Sequence, residues 1–156
     1  MTNRVTSDAI NTLNDLIDVC LDGAEGYRTA MQDVTGNNLK TLLHQFSNQR
    51  TQFAKELQSE VAHLGGSPER DGTARAALHR GWMNVKSAVG ANNDLAILEE
   101  CERGEDIARD TYDHALRKTG DDALPAATRQ IVKAQCDQIR SSHDSIKILR
   151  DREKQV

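Results

Sequence analysis

Between Ile10 and Val34 the chain runs INTLNDLIDVCLDGAEGYRTAMQDV. From Ile10, the residues Leu13, Ile17, Cys20, Ala24, Tyr27, Met31 and Val34 follow at alternating steps of three and four, the spacing that keeps side chains on one face of a helix. A helix over about 8–34 is expected, capped by Ser7 or Asp8 and ended at Gly36-Asn37-Asn38. It would span about 40 Å. The same rhythm returns in Leu39, Leu43, Phe46, Arg50, Phe53, Leu57, Val61 and Leu64, which predicts a second helix over about 38–64 stopped by Gly65-Gly66. The few residues between these helices make them an antiparallel hairpin. Further along, Ala74, Ala77, Leu78, Trp82, Val85 and Val89 mark a shorter helix over about 74–89. Leu98, Cys101, Glu105, Ala108, Tyr112 and Ala115 mark another over about 94–118, with Asp94 as its cap. Val132, Cys136, Ile139, His143, Ile146 and Leu149 mark a last one over about 125–152, with Pro125 in its first turn and DREKQV fraying.

The composition agrees with an all-α class. Of 156 residues 37% are hydrophobic, 3% aromatic and 28% charged, and there are only two prolines. Five aromatics do not fill a β-sandwich core, and two prolines do not punctuate its many turns. A single domain over residues 1–156 is expected. Short link, long crossover with its own helix, short link is the ferritin-like arrangement of two antiparallel hairpins, as opposed to an up-down bundle with three short loops. No apolar run is long enough for a membrane span, and the N-terminus has no secretory signal, so a cytoplasmic protein without membrane contact is expected. A net charge of −4 with scattered basic residues argues against nucleic acid as a partner. Cys20, Cys101 and Cys136 form no CxxC pair and fall on apolar stripes, so they read as buried free thiols.

Polar residues on the stripes carry the functional question, because burying an unpaired charge is costly. Arg50, Glu105 and His143 each interrupt a stripe near mid-helix, with Glu102, Gln135 and Arg140 close by. One reading is a structural polar core: an Arg50–Glu105 ion pair whose leftover hydrogen bonds go to His143 or Gln135. The other is a carboxylate di-metal centre holding iron or manganese on Glu25, Glu102, Glu105 and His143. Such a centre takes a Glu from two helices and a Glu-x-x-His from each of the others. The two Glu-x-x-His motifs are not supplied, since the one instance, Glu60 to His63, stands at the end of the second helix rather than beside Arg50, and arginine does not coordinate metal. Gly23 and Gly26, helix-weakening residues inside the first helix, lie with Ala30 towards one edge, which suggests close approach of another helix or of a second subunit. Tyr27 and Tyr112 read as core aromatics and Trp82 as an anchor for the crossover. His44, His63, His79 and His114 form no ligand pair.

LNDLIDVCLDGAEGY, FAKELQSEVAHLGGSPE, ALHRGWMNVK and LEECERGED resemble an uncharacterised, mainly proteobacterial family of ferritin-like four-helix-bundle proteins. The likeness covers about Leu13 to Leu149. It implies a ferritin-like fold and brings no activity. Against the wider ferritin pattern, the resemblance puts Arg50 and Arg140 where glutamates would stand and Phe53 where a histidine would. It keeps His143, matches Glu102 or Glu105 to the third-helix carboxylate, and makes Glu25 the nearest match to the first. The expectation is a non-enzymatic, stress-associated bundle, a homodimer or larger, with no cofactor. The alternative is an iron or manganese oxidase, and a third is a partner-binding module using the glycine edge.

Overall fold

The computed structural model describes residues 2–69, 82, 94–120 and 123–155, with side chains from Ser7 onward. Four helices make it up: α1 (Thr2–Met31), α2 (Asn37–His63), α3 (Asp94–Arg117) and α4 (Ala126–Lys154). There is no strand among the described residues. The expected helix over 74–89 lies outside them, apart from Trp82. The architecture is an all-α four-helix bundle.

Three boundaries differ from expectation. α1 begins at Thr2, so Ser7 and Asp8 lie inside it rather than capping it; nothing upstream breaks a helix, and capping preference alone is worth only about 1 kcal/mol. It ends at Met31, where the backbone tightens through Gln32 N to Thr29 O and Asp33 N to Ala30 O, yet Val34 beyond it stays buried. α4 runs on to Lys154, through most of the tail expected to fray. At the end of α2, Gly66 N donates to Val61 O and Gly65 N to Ala62 O, a Schellman closure that requires the left-handed φ of +82° at Gly65.

Side-chain ties define the topology. Ser47 Oγ donates to Ala24 O in the α1–α2 hairpin. Arg129 reaches Leu116 O, and Arg150 pairs with Glu102, in the α3–α4 hairpin. Lys118 Nζ donates to Thr12 Oγ1 at one end of the molecule, while Asp94 accepts from Thr35 N and Oγ1 at the other, so α1 lies antiparallel to α3. Thr128 reaches Glu60 between α4 and α2. It follows that α2 and α3 are parallel and diagonally opposed. The chain between His63 and Asp94 therefore joins opposite ends of the bundle, which a tight turn cannot do.

The apolar stripes pack into two clusters. One holds Leu13, Ile17, Cys20, Phe53, Leu57, Tyr112 and Ile139. The other holds Tyr27, Leu43, Trp82, Leu98, Cys101 and Ile146. Between them lies a polar layer.

Candidate functional site: a buried ion pair and its surroundings

Among the described residues Arg50 of α2 is the largest fully buried side chain, 1% exposed, and Glu105 of α3 is 0% exposed. Arg50 Nη2 stands 2.5 Å from Glu105 Oε1 across the diagonal of the bundle. The other two helices complete the layer. Tyr27 of α1 donates its hydroxyl to Glu105 Oε1, and Ser142 of α4 accepts from Arg50 Nη2 at 2.7 Å. Ser142 Oγ lies 2.8 Å from Glu105 Oε2 and 2.9 Å from Ile139 O, so its proton serves one or the other. Arg50 Nε donates to Gln49 Oε1 at 3.2 Å, and its guanidinium carbon sits 5.7 Å from the centre of the Tyr27 ring. Burial opposes the Arg50 charge, but the Glu105 carboxylate together with Tyr27, Cys20 and Tyr112 outweighs that and holds its pKa above the ordinary arginine value. Burial, followed by the charge of Glu105, lifts the Tyr27 hydroxyl well above its usual range. Arg50 thus stays charged and Tyr27 neutral at neutral pH.

A carboxylate-bridged metal centre does not fit these residues. The carboxylate of Glu105 already accepts from Arg50 and Tyr27, with Ser142 in hydrogen-bonding reach, and a fixed cation with no route to solvent occupies the place of an ion.

On the other side of Glu105, Tyr112 Oη donates to Gln135 Oε1 at 2.6 Å, and Gln135 Nε2 reaches Phe53 O at 3.4 Å. With its own proton committed, Tyr112 accepts from the Cys20 thiol at 3.1 Å. Burial pushes the Cys20 thiol up to about 11 and Cys101 well above its ordinary value, so neither is a nucleophile at neutral pH.

The remaining candidates do not join the pair. His143 turns away from Glu105 towards the α3–α4 edge, where Nε2 lies 2.7 Å from Asp106 Oδ1; it is Ser142, one residue earlier, that meets the ion pair. Glu102 is engaged by Arg150, and half-exposed Arg140 pairs with Asp113 at 2.5 Å. Gln135 serves the Tyr112 chain. Glu25 is exposed and paired with Arg28 on its own helix. The alternative metal set of Glu25, Glu102, Glu105 and His143 therefore points to three separate places. His44, His63 and His114 are exposed.

The layer is closed by Trp82, 8% exposed, whose ring meets Tyr27 edge-on at 4.7 Å between centroids. A Cβ at Gly26 of α1 or at Gly104 of α3 would overlap the indole, and one at Gly23 would touch Arg50 at 3.5 Å. Ala30 is fully buried. The glycine edge of α1 is thus covered from within the chain by its own Trp82.

The family model that matches this chain, over residues 8–118, is described as "Domain of unknown function (DUF2383)". The chain belongs to this family. The matched span takes in α1 from Asp8 onward, α2 and α3, and with them Tyr27, Arg50, Trp82, Gly104 and Glu105 of the site described above. No curated protein matches the chain.

Sequence reasoning missed Ser142, Gly104 and Asp106 in this DUF2383 protein, and took Tyr27 for a purely apolar member. Ser142 and His143 are neighbours, separated by about 100° around the helix, and the stripe spacing admits either. Gly104 had a signal: a glycine inside LEECERGED, one residue before a stripe glutamate, on a helix that ought to resist it.

Proposed function

We propose that the protein is a non-enzymatic, ferritin-like bundle in which an arginine–glutamate pair takes the position that a bridged metal centre holds in catalytic bundles of that architecture. The single observation behind this is the Arg50–Glu105 contact at 2.5 Å with both side chains at most 1% exposed. Support for the ferritin-like part comes from the long connection between parallel α2 and α3. The alternative, an iron or manganese oxidase on Glu25, Glu102, Glu105 and His143, would need Glu25 inside, whereas it is 62% exposed beside Arg28. A cytoplasmic, stress-associated homodimer or larger assembly belongs to the same reading, and sedimentation of the purified chain measures the assembly. No helix among the described residues is long and apolar enough to cross a membrane.

The test is aerobic addition of Fe(II) to the protein. Oxidation no faster than in buffer, with no absorption band of a bridged diferric centre, is the expected result. Stoichiometric iron or manganese that is lost in Glu105→Gln but retained in a His143 variant would overturn the proposal.

A further inference from the structure

A second group of ligand-type side chains lies away from the ion pair. Glu102 and Asp106 are one turn apart on α3, so their carboxylates share a face, and His143 reaches them from α4. One ligand atom of each lies within 4.8 Å of the others. The imidazole is nearly buried and Asp106 is 44% exposed, so the group is anchored at its base and open at its rim. We propose that Glu102, Asp106 and His143 bind one divalent transition-metal ion, with zinc as the reference ion.

Metal–ligand bonds of about 2.0–2.2 Å put neighbouring ligand atoms roughly 3–3.5 Å apart, so the present spacing needs only rotamer adjustment. His143 is already aimed: Nε2 faces Asp106, while Asp144 Oδ1 stands 3.4 Å behind Nδ1. A carboxylate behind a ligating imidazole selects the tautomer with a free Nε2 lone pair and holds the ring's orientation. Two carboxylates balance a divalent charge, and the imidazole favours zinc over calcium or magnesium, which prefer all-oxygen sets.

Two arginines compete for the same atoms. Arg150 pairs with Glu102, and Arg109 lies 3.5 Å from both Asp106 and His143 Nε2. Their side chains are 20% and 32% exposed and can turn outward into water, whereas Arg50 at the centre has no such exit. An ion can displace the first two and not the third. The inference goes beyond the proposed function and stands whether or not the central pair has replaced a metal.

Calorimetric titration of the full-length chain with Zn²⁺ tests it, with circular dichroism and melting curves confirming the fold of each variant. One ion per chain is expected, with affinity falling about tenfold or more in His143→Gln and Asp106→Asn and rising in Arg150→Gln, and without competition from millimolar Mg²⁺. Should His143→Gln fail to fold, Asp106→Asn, altering a half-exposed side chain, decides alone. Unchanged affinity in the folded variants, no binding in the wild type, or a thiolate charge-transfer band on Co²⁺ addition would overturn the proposal.

Discussion

Arg50 is satisfied only by partners that are themselves buried, and this determines what its removal does. Arg50→Met leaves Glu105 as an uncompensated charge among Tyr27, Ser142 and apolar neighbours, so a loss of about 3–5 kcal/mol is expected in denaturant unfolding. Adding Glu105→Leu removes the orphaned charge and restores most of that loss, a non-additivity that two independent sites would not produce. Asp22 behaves oppositely with pH. Burial pushes its carboxyl up to about 6, above its unfolded value of about 3.9, so the native state holds the proton more tightly. Stability from this group is therefore fully present below pH 4 and declines as pH rises to 6. Asp22→Asn should match the wild type at pH 3.5 and exceed it at pH 7 in melting temperature. The three cysteines, all buried and with thiol pKa values raised by burial, should resist a thiol reagent until urea unfolds the chain, when three equivalents react. At this scale the sequence was legible where a charge broke an apolar stripe, as at Arg50 and Glu105. It was not legible where the partner is small or amphipathic: Ser142 carries no hydropathy signal, and Tyr27 shows the period of a core residue whether or not its hydroxyl is used.

For the helices, the close approach of Trp82 explains why α1 and α3 carry glycines that weaken them. Elsewhere a helical glycine changed to alanine gains about 1 kcal/mol. Gly104→Ala should instead destabilise, because the new Cβ overlaps the indole. Trp82 is the sole tryptophan, so its emission reports the event directly: a red shift is expected as the ring is expelled into water. In a Trp82→Ala background the same substitution should become neutral or stabilising, which separates loss of the indole's place from a defect in α3 itself. The helices were readable because their stripes repeat over about six turns each of α1 and α2. The meaning of Gly26 was not, since the residue that needs it lies fifty-six positions later and the sequence does not state which surface a glycine frees.

Across the whole molecule, the polar layer divides one potential core into two, with Leu13, Leu57 and Ile139 on one side and Leu43, Leu98 and Ile146 on the other. Each helix contributes one side chain to the layer, and all four interlock only when the two hairpins are aligned to within a residue. Away from the Trp82 seat on Gly26 and Gly104, leucine and isoleucine contacts discriminate little between neighbouring alignments, since such side chains repack at small cost. The layer is therefore expected to act chiefly on register, with net stability as a lesser effect, because the desolvation of two charges offsets much of their attraction. The combined replacement Tyr27→Phe, Arg50→Leu, Glu105→Leu and Ser142→Ala tests this. Its melting temperature should equal or exceed that of the wild type, corresponding to about 1–4 kcal/mol at most. Its near-ultraviolet dichroism should weaken and its amide spectrum lose dispersion or double, as alternative alignments of the hairpins become populated. A replacement that is destabilised yet still gives one sharp set of resonances would show that the ion pair contributes energy rather than alignment, and the same spectra, recorded on the Arg50→Met single variant, distinguish a misaligned bundle from a merely weakened one.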